Sequence, residues 1–424
     1  MQRKRAQVQN RAGMRPSANV AWLMDVLRAS AGIFAVACGR SGLDVPGYAG
    51  SSGSGASGSR ASIEGDTGSS GDSGSNATNA SGSASGWASR RSSNGSSGSE
   101  SSSHGGLSSD GGSGSGTASG CASPSCAPGG PGMTDCGEAG ECCCTSLEVT
   151  GGTYYRTYAN SGSGPTAESD PATVSGLRLD KYLVSVGRYR QFVNGGKGRI
   201  PAAGTGKHAY LNGGQGLANN GADGGFEPGW VTEDEYNVAP TNTNLECDPY
   251  YASWTTKVGT QENLPINCVN WYEAYAFCIW DGGFLPSEAE WENAAAGGSQ
   301  QRQYPWGSTD PGTANQYAIY GYHYSGPPGS SSSVMAVAPV GTTTLGPGRW
   351  SQLDLAGEVW EWSLDWYAPY GACTNCTDAT PGTARAIRGG DYDDGELALV
   401  PSFRYYFYPT ARFPYIGFRC ARAP

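Results

Sequence analysis

A long stretch of serine and glycine confines the fold to the second half of the chain. Residues 39–118 consist mainly of these two amino acids, with scattered Ala, Asn and Asp. Such a segment buries too little apolar surface to offset the entropy lost on folding, so we expect a disordered, flexible tether. By length alone, 424 residues would suit two or three domains. The aromatic and aliphatic residues that a core needs are concentrated after the tether.

The N-terminus has the pattern of an export signal. A basic start is followed by a short apolar run, which ends in small residues before Cys38. Residues 1–38 therefore resemble a bacterial lipoprotein signal with Cys38 as the lipidated residue, although Asp25 interrupts the run and Met14 is an alternative start. A cleaved secretion signal is the other interpretation. The chain is predicted to be exported, either as an outer-membrane or cell-surface lipoprotein held to the envelope membrane by its lipid, or as a secreted protein.

The net charge and the number of cysteines limit which partners the protein can bind and in which compartment it resides. A net charge of -10 argues against nucleic acid as a partner, because its phosphates require Lys and Arg. Thirteen cysteines indicate an oxidising compartment. If Cys38 carries lipid, twelve remain, enough for six disulfides.

A cysteine-rich segment covers residues 119–146. Its spacing does not give two C-x-x-C pairs, which favours disulfides over a zinc knuckle. Their pairing cannot be read from the sequence. The segment contains Cys121, Cys126, Cys136, Cys142, Cys143 and Cys144.

From residue 147 to residue 424 the pattern predicts an α+β domain with much irregular structure. Residues 177–184 alternate in the manner of a strand. Apolar spacing predicts helices over 186–194, 269–281 and 287–296. The third helix begins with a capping-box pattern formed by Ser287 and Glu290. We interpret the alternating Glu288, Glu290 and Glu292 as capping and helix-end charges rather than as catalytic groups.

Five blocks of sequence carry a resemblance to a known family. They are LDKYLVSV at 179–186, PINCVNWYEA at 265–274, GFLPSEAEWE at 283–292, DLAGEVWEW at 354–362, and IRGGDY at 387–392 with GFRC at 417–420. In this order and spacing they resemble the formylglycine-generating enzyme, or sulfatase-modifying factor, family. The resemblance implies an irregular, loop-rich fold related to C-type lectins over residues 147–424.

The resemblance also implies one disulfide, between Cys278 and Cys420. The remaining cysteines are then most simply paired as Cys247 with Cys268 and Cys373 with Cys376. The last pair is a C-x-x-C, for which redox or metal-binding roles are alternatives. We favour a structural disulfide because the export signal places this Gly- and Thr-rich loop outside the cytosol.

A calcium site is implied by the fourth block. Active family members hold Ca2+ there, and the corresponding ligands are the Asp354 and Glu361 carboxylates with the carbonyls of Gly357 and Val359. Two carboxylates with turned carbonyls form the hard oxygen cage that calcium prefers. The alternative is that Asp354 and Glu361 merely cap turns.

The catalytic cysteines of the family are missing. In the family, two cysteines after the Arg-Gly-Gly turn hold Cu(I) and allow oxygen to convert a substrate cysteine into formylglycine. Here Asp394 occupies the first position, the second has no counterpart, and carboxylate oxygen binds Cu(I) weakly. Copper is therefore not expected. The iron-dependent branch of the family is also disfavoured, because His208 and His323 do not form a two-His-one-carboxylate pattern.

Two hypotheses of function remain. In the first, the domain is a non-catalytic module that binds an unknown protein or glycan, with the acidic and aromatic stretch 392–408 lining the old substrate groove. In the second, it is an enzyme of the family, either a formylglycine-generating oxidase or an enzyme of altered protein-modifying chemistry in which Asp393, Asp394 and Glu396 bind a hard metal or act as acid and base. The sequence favours the first, because acidic residues clustered in a loop are usually solvated.

Overall fold

The computed structural model describes residues 121, 123–126, 136–325 and 336–424. The predicted signal, Cys38 and the Ser/Gly tract lie outside the described residues. The α-helices of the described part are α1 Val186–Asn194, α2 Asn242–Leu245, α3 Trp271–Trp280 and α4 Glu288–Ala296. Short 3-10 turns cover Pro124–Cys126, Gly196–Arg199, Asn212–Gly214, Thr232–Asn237, Gly298–Gln300 and Glu396–Leu399.

The strands are short and are joined by long loops. They are β1 Ser146–Val149, β2 Gly152–Asn160, β3 Pro165–Val174, β4 Leu177–Asp180, β5 Ala218–Asn219, β6 Trp360–Trp366, β7 Cys373–Thr374, β8 Cys376–Thr377, β9 Arg385–Arg388, β10 Arg404–Phe407, β11 Ile416–Gly417 and β12 Ala421–Arg422. They form small sheets with the strand orders β1-β4-β12, β10-β9-β6-β11, β2-β3-β7 and β5-β8. The domain is therefore a loop-rich α+β fold, as the sequence predicted.

The helix starts follow from local capping chemistry. At α4 the Ser287 hydroxyl accepts from the Glu290 N–H (3.2 Å), and the Glu290 carboxylate accepts from the Ser287 N–H (2.8 Å). Gly297, with a φ of 68°, ends the helix in the left-handed region. The predicted capping box is confirmed, and α1 and α3 begin and end within two residues of the predicted bounds.

An aromatic core joins the helices to the four-stranded sheet. Tyr189 of α1 stacks on Phe277 of α3 with 5.6 Å between ring centroids, and Phe418 closes the cluster edge-on. These side chains are fully buried, and large aromatic rings supply much of the apolar area that such a loop-rich fold can bury. In the four-stranded sheet β9 lies between β6 and β10, so the Arg-Gly-Gly turn leaves from the interior of the domain.

The cysteine-rich segment packs onto this domain. Its disulfides are Cys121–Cys142, Cys126–Cys144 and Cys136–Cys143. Its buried sulfurs lie in one cluster with Tyr182, Leu183 and Val340. The buried Arg188 of α1 donates from Nε to the Ser125 hydroxyl at 3.1 Å. The segment thus shares a core with the rest of the domain.

Three further disulfides lie in the rest of the domain. The structure pairs Cys278 with Cys420, Cys247 with Cys268, and Cys373 with Cys376, as the sequence analysis expected. Six disulfides indicate an oxidising, non-cytosolic environment. No helix in the described residues has the length and apolar composition that crossing a bilayer requires.

Candidate functional site

The acidic loop (residues 391–396) follows β9 and occupies the position that the resemblance assigns to the catalytic cysteines. Gly389 and Gly390 turn the chain with φ values of 100° and 75°, in the region that favours glycine. The Asp391 carboxylate accepts from the N–H groups of Asp393 (2.7 Å) and Asp394 (3.0 Å). In return, Asp394 Oδ2 accepts from the Asp391 N–H at 3.1 Å. The carboxylates of Asp391 and Asp394 therefore stabilise the loop by accepting hydrogen bonds from its own backbone.

The three acidic residues that the sequence singled out face different partners. Asp393 is exposed, and burial together with the charge of Asp393 raises the pKa of the Tyr322 hydroxyl to about 12. The Tyr304 hydroxyl donates to Glu396, whereas Asp394 is turned toward the backbone of the loop. Within the described ranges, no three acidic side chains gather closely enough to ligate one metal ion. Asp393, Asp394 and Glu396 share a loop but do not converge, so the hard-metal form of the enzyme hypothesis has no preformed site.

Asp391 is the titratable group of this loop that sequence reasoning missed. It is 4% exposed, and burial, followed by repulsion from Asp394, raises its pKa to about 7. Its charge therefore changes near neutral pH. Nothing in the sequence separates it from its neighbours, because its burial depends on the turn at Gly389 and Gly390.

The cysteines offer no thiol for copper. All twelve cysteines of the described residues are paired in the six disulfides. The one group of sulfurs close enough to suggest a metal site there, Cys126, Cys142 and Cys144, consists of disulfide atoms. Since Cu(I) requires soft thiolate ligands, this part of the chain cannot hold it as the family does.

The two histidines of the domain are likewise engaged in packing. His208 is fully buried, with Nδ1 3.0 Å from Glu227 and Nε2 3.0 Å from Glu290. Burial lowers its pKa, but the charges of Glu290 and Glu227 outweigh burial and raise the pKa to about 10. The imidazolium therefore donates to one carboxylate on each side and ties α4 to the loop of Glu227. His323 packs edge-on against Tyr320, with ring centroids 4.9 Å apart, so the two histidines do not form an iron site.

The glutamates of α4 take part in a buried ion network. Arg388, at the end of β9, donates from Nε to Glu288 and from Nη2 to Glu292, both at 2.8 Å. Arg404 of β10 also donates to Glu288, at 2.6 Å. Glu290 caps the helix as predicted, but Glu288 and Glu292 hold the Arg-Gly-Gly turn in place, a role that the capping interpretation did not foresee.

The predicted calcium loop, residues 354–361, is tightly turned and buried. Asp354 and Gly357 have φ values of 56° and 74°. The Asp354 carboxylate accepts from the Thr343 hydroxyl (2.8 Å) and from the Gly341 N–H (2.7 Å). The predicted ligand Glu361 is held by Arg419, which donates to both of its oxygens at 2.6 and 2.9 Å.

A third carboxylate in this loop, Glu358, escaped the sequence analysis. It is buried, and its Oε1 accepts from the Ala338 N–H at 2.6 Å. Burial, and then the charge of Asp354, raises its pKa well above the usual range. Arg419 donates to the Glu361 carboxylate and to the Asp354 carbonyl, whereas no cationic side chain forms an ion pair with Glu358 among the described residues. Because the three carboxylates do not meet at one point, backbone carbonyls would have to complete a cation site. With that condition, the donor set fits a hard cation.

An aromatic patch borders the acidic loop. It consists of exposed side chains on and beside the edge strand β10: Tyr367, Phe403, Tyr405, Tyr406 and Tyr408. Tyr405 stacks on Tyr406 with centroids 5.2 Å apart and lies 6.2 Å from the ring of Trp360. The side chain of Trp360 in turn interacts with Asp394: burial raises the pKa of that carboxyl, and Trp360 lowers it by a smaller amount. Patch and loop therefore form one continuous surface.

Fold and site together define a class of protein: a disulfide-bonded, loop-rich α+β domain with a surface of carboxylates and aromatic rings. The model of the "Sulfatase-modifying factor enzyme 1-like domain" family matches residues 137–424. The chain therefore belongs to this family.

Curated relatives include formylglycine-generating enzymes and hercynine oxygenases. The chain is 32% identical over 180 residues to a formylglycine-generating enzyme of Thermomonospora curvata, covering 40% of this chain and 59% of the relative. It is 31% identical over 272 residues to that of Mus musculus, covering 59% and 66%. A hercynine oxygenase of Mycolicibacterium smegmatis is 30% identical over 224 residues, covering 47% and 48%. The chain thus spans about half to two thirds of the length of these relatives.

Solved structures of similar fold are more distant in sequence. PvdO from Pseudomonas aeruginosa has a TM-score of 0.40 and 18% identity, covering 66% of this chain and 94% of that one. The Treponema denticola variable protein 1 has a TM-score of 0.39 and 18% identity, covering 66% and 95%.

Proposed function

We propose that this protein is a non-catalytic binding module that is displayed on the cell envelope. The N-terminal pattern supports attachment through lipid at Cys38, and the Ser/Gly tract supplies a flexible spacer between membrane and domain. The six disulfides are consistent with this location.

The observation that carries the proposal is the chemistry of the surface formed by the acidic loop and the aromatic patch. Where the family places two cysteines, this chain has carboxylates that bond to their own loop and to Tyr304. Beside them lies the aromatic patch, and exposed tyrosines grouped in this way are typical of surfaces that bind a partner. The ligand is a protein or a glycan that stacks on the patch and donates hydrogen bonds to the acidic loop.

Replacing Tyr405 by alanine is expected to weaken ligand binding by about tenfold or more, because the patch loses its central ring. The full chain is screened on a glycan array and against an immobilised peptide library, and the affinity of each hit is then measured. The matched control is Tyr236→Ala, which removes a tyrosine that is 85% exposed outside the patch. If Tyr405→Ala and Tyr236→Ala bind every hit as the unchanged chain does, the patch is not the binding surface.

A second candidate function is favoured by Asp391 alone. A carboxyl with a pKa of about 7 near an aromatic surface patch suits general acid–base work. An enzyme of altered chemistry would show turnover that follows the ionisation of Asp391, and Asp394→Asn would move that ionisation to lower pH, since repulsion from Asp394 adds to burial in raising the pKa of Asp391.

The proposal also includes calcium in the loop 354–361. The Asp354 and Glu361 carboxylates and the carbonyls of Gly357 and Val359 would hold the ion, with Glu358 balancing its charge. Calcium supplies positive charge to a buried acidic loop and no redox chemistry, so its effect is on stability.

Removing calcium is expected to lower the melting temperature of the full chain by about 5 °C or more, because an ion that binds only the folded state stabilises it. The measurement is thermal unfolding in EDTA and in excess calcium. Asp354→Ala abolishes the difference, whereas Asp393→Ala, an exposed acid elsewhere, retains it. Identical melting temperatures with and without calcium would rule the site out.

A further inference from the structure

A cavity of about 270 Å³ lies apart from the acidic loop and the aromatic patch. Its walls are Trp271 and Tyr275 of α3, Leu364 and Trp366 of β6, and Arg385 at the start of β9. No residue of the acidic loop or the patch lines it. Pro228 and Pro381 also line it and are exposed, so solvent reaches one side. A small molecule can therefore enter a largely aromatic chamber.

Arg385 places a positive charge in this wall. The guanidinium lies between the rings of Trp271 (3.6 Å) and Trp366 (3.7 Å) and is 8% exposed. Nη1 donates to the Leu364 carbonyl at 2.6 Å, whereas the buried Nε has no hydrogen-bond partner in the described part of the chain. Burial lowers the pKa of Arg385 to about 9. A guanidinium has five N–H donors, and only one hydrogen bond from Arg385 is formed within the described residues, so donors remain for a ligand.

Asp234 places a negative charge in the same wall. It belongs to the 3-10 turn Thr232–Asn237 and is half-buried. Burial raises its pKa to about 6, while the charge of Arg385 lowers it, so the two groups are close enough to interact. Among the described residues, however, no carboxylate forms an ion pair with Arg385. Asp234 and Arg385 therefore both line the cavity without forming an ion pair, while the other acidic lining residue, Glu227, is bonded to His208.

We propose that this cavity binds a small zwitterion with an apolar body, of the kind represented by an apolar α-amino acid. Its carboxylate accepts from the Arg385 guanidinium, its ammonium group donates to Asp234, and its side chain packs on Tyr275 and Leu364. A monoanion would bind the Arg385 guanidinium, but its charge would be repelled by Asp234. A simple amine would bind Asp234, but its charge would be repelled by Arg385. The cavity, at about 270 Å³, is large enough to admit an amino acid the size of leucine. This site goes beyond the proposed binding surface.

The test titrates the full chain with leucine, following tryptophan fluorescence from Trp271 and Trp366 and checking the result by calorimetry. Leucine is expected to saturate one site, whereas 4-methylpentanoate, which lacks the ammonium group, and 3-methylbutylamine, which lacks the carboxylate, bind about tenfold more weakly or worse. No saturable leucine binding up to about 10 mM, or equal binding of the monoanion, overturns the proposal.

The matched variants are Asp234→Asn and Glu233→Gln, which remove neighbouring acidic charges from one turn. Only Asp234 lines the cavity. Asp234→Asn is expected to weaken leucine binding by about tenfold, and Glu233→Gln to leave it unchanged. Equal affinities for the two variants would show that Asp234 does not hold the ligand. Neither residue lies in the aromatic patch or the acidic loop, so failure here leaves the proposed surface untouched.

Discussion

Arg388→Met is expected to lower the free energy of unfolding by about 3–5 kcal/mol. The guanidinium is fully buried and holds Glu288 and Glu292 at 2.8 Å each. Methionine fills a similar volume but leaves these carboxylates buried with less positive charge to neutralise them. The substitution affects Glu292 more than Glu288, because Arg404 still forms an ion pair with Glu288. Denaturant unfolding of the full chain measures the change.

Two variants separate charge from packing. Arg404→Met removes a cation from the same network, but Arg388 remains to neutralise Glu288, so a loss of only about 1 kcal/mol is expected. Adding Glu292→Gln to Arg388→Met is expected to recover part of the lost stability, because it removes one unpaired buried charge. If Arg388→Met and Arg404→Met lower the free energy of unfolding equally, the stability of the network does not depend on the buried Arg388.

Removing the disulfide between Cys278 and Cys420 is expected to lower the free energy of unfolding by about 4–5 kcal/mol. The bond closes a loop with a sequence separation of 142 residues, and both cysteines are fully buried in the main core. A long loop gains much conformational entropy in the unfolded chain when the cross-link is lost. The double variant Cys278→Ala with Cys420→Ala is compared with the unchanged chain by denaturant unfolding.

The matched control is the double alanine variant of Cys373 and Cys376. Their sequence separation is 3, so the same reasoning predicts a loss of about 2 kcal/mol. If the short-loop variant loses as much stability as the long-loop one, loop closure does not explain the effect of the Cys278–Cys420 bond.

Local chemistry explains what the sequence could predict. The helix over Ser287 and Glu290 depends on two residues three positions apart, and the pairing of Cys278 with Cys420 follows from two family motifs. Such features need only nearby residues or a recognised motif. The α+β class follows for the same reason.

Long-range contacts explain what the sequence could not predict. Arg388 meets Glu292 across 96 positions of sequence. Glu358 becomes buried beside Asp354 only because the loop adopts left-handed backbone at both residues. The six clustered cysteines allow many pairings, and the choice depends on how the segment packs against Tyr182. Each of these depends on the folded arrangement rather than on residue type.

All cysteines among the described residues are paired in disulfides, so we expect this domain to lack the soft ligands that the family's copper chemistry requires. Cu(I) titration of the full chain, with a cysteine-containing peptide and oxygen, tests this most directly, and the formylglycine-generating enzyme of Thermomonospora curvata serves as the positive control. We expect no stoichiometric uptake of Cu(I) and an unchanged peptide thiol, while the control converts its peptide. One bound copper per chain, together with conversion of the cysteine into formylglycine, would contradict the account.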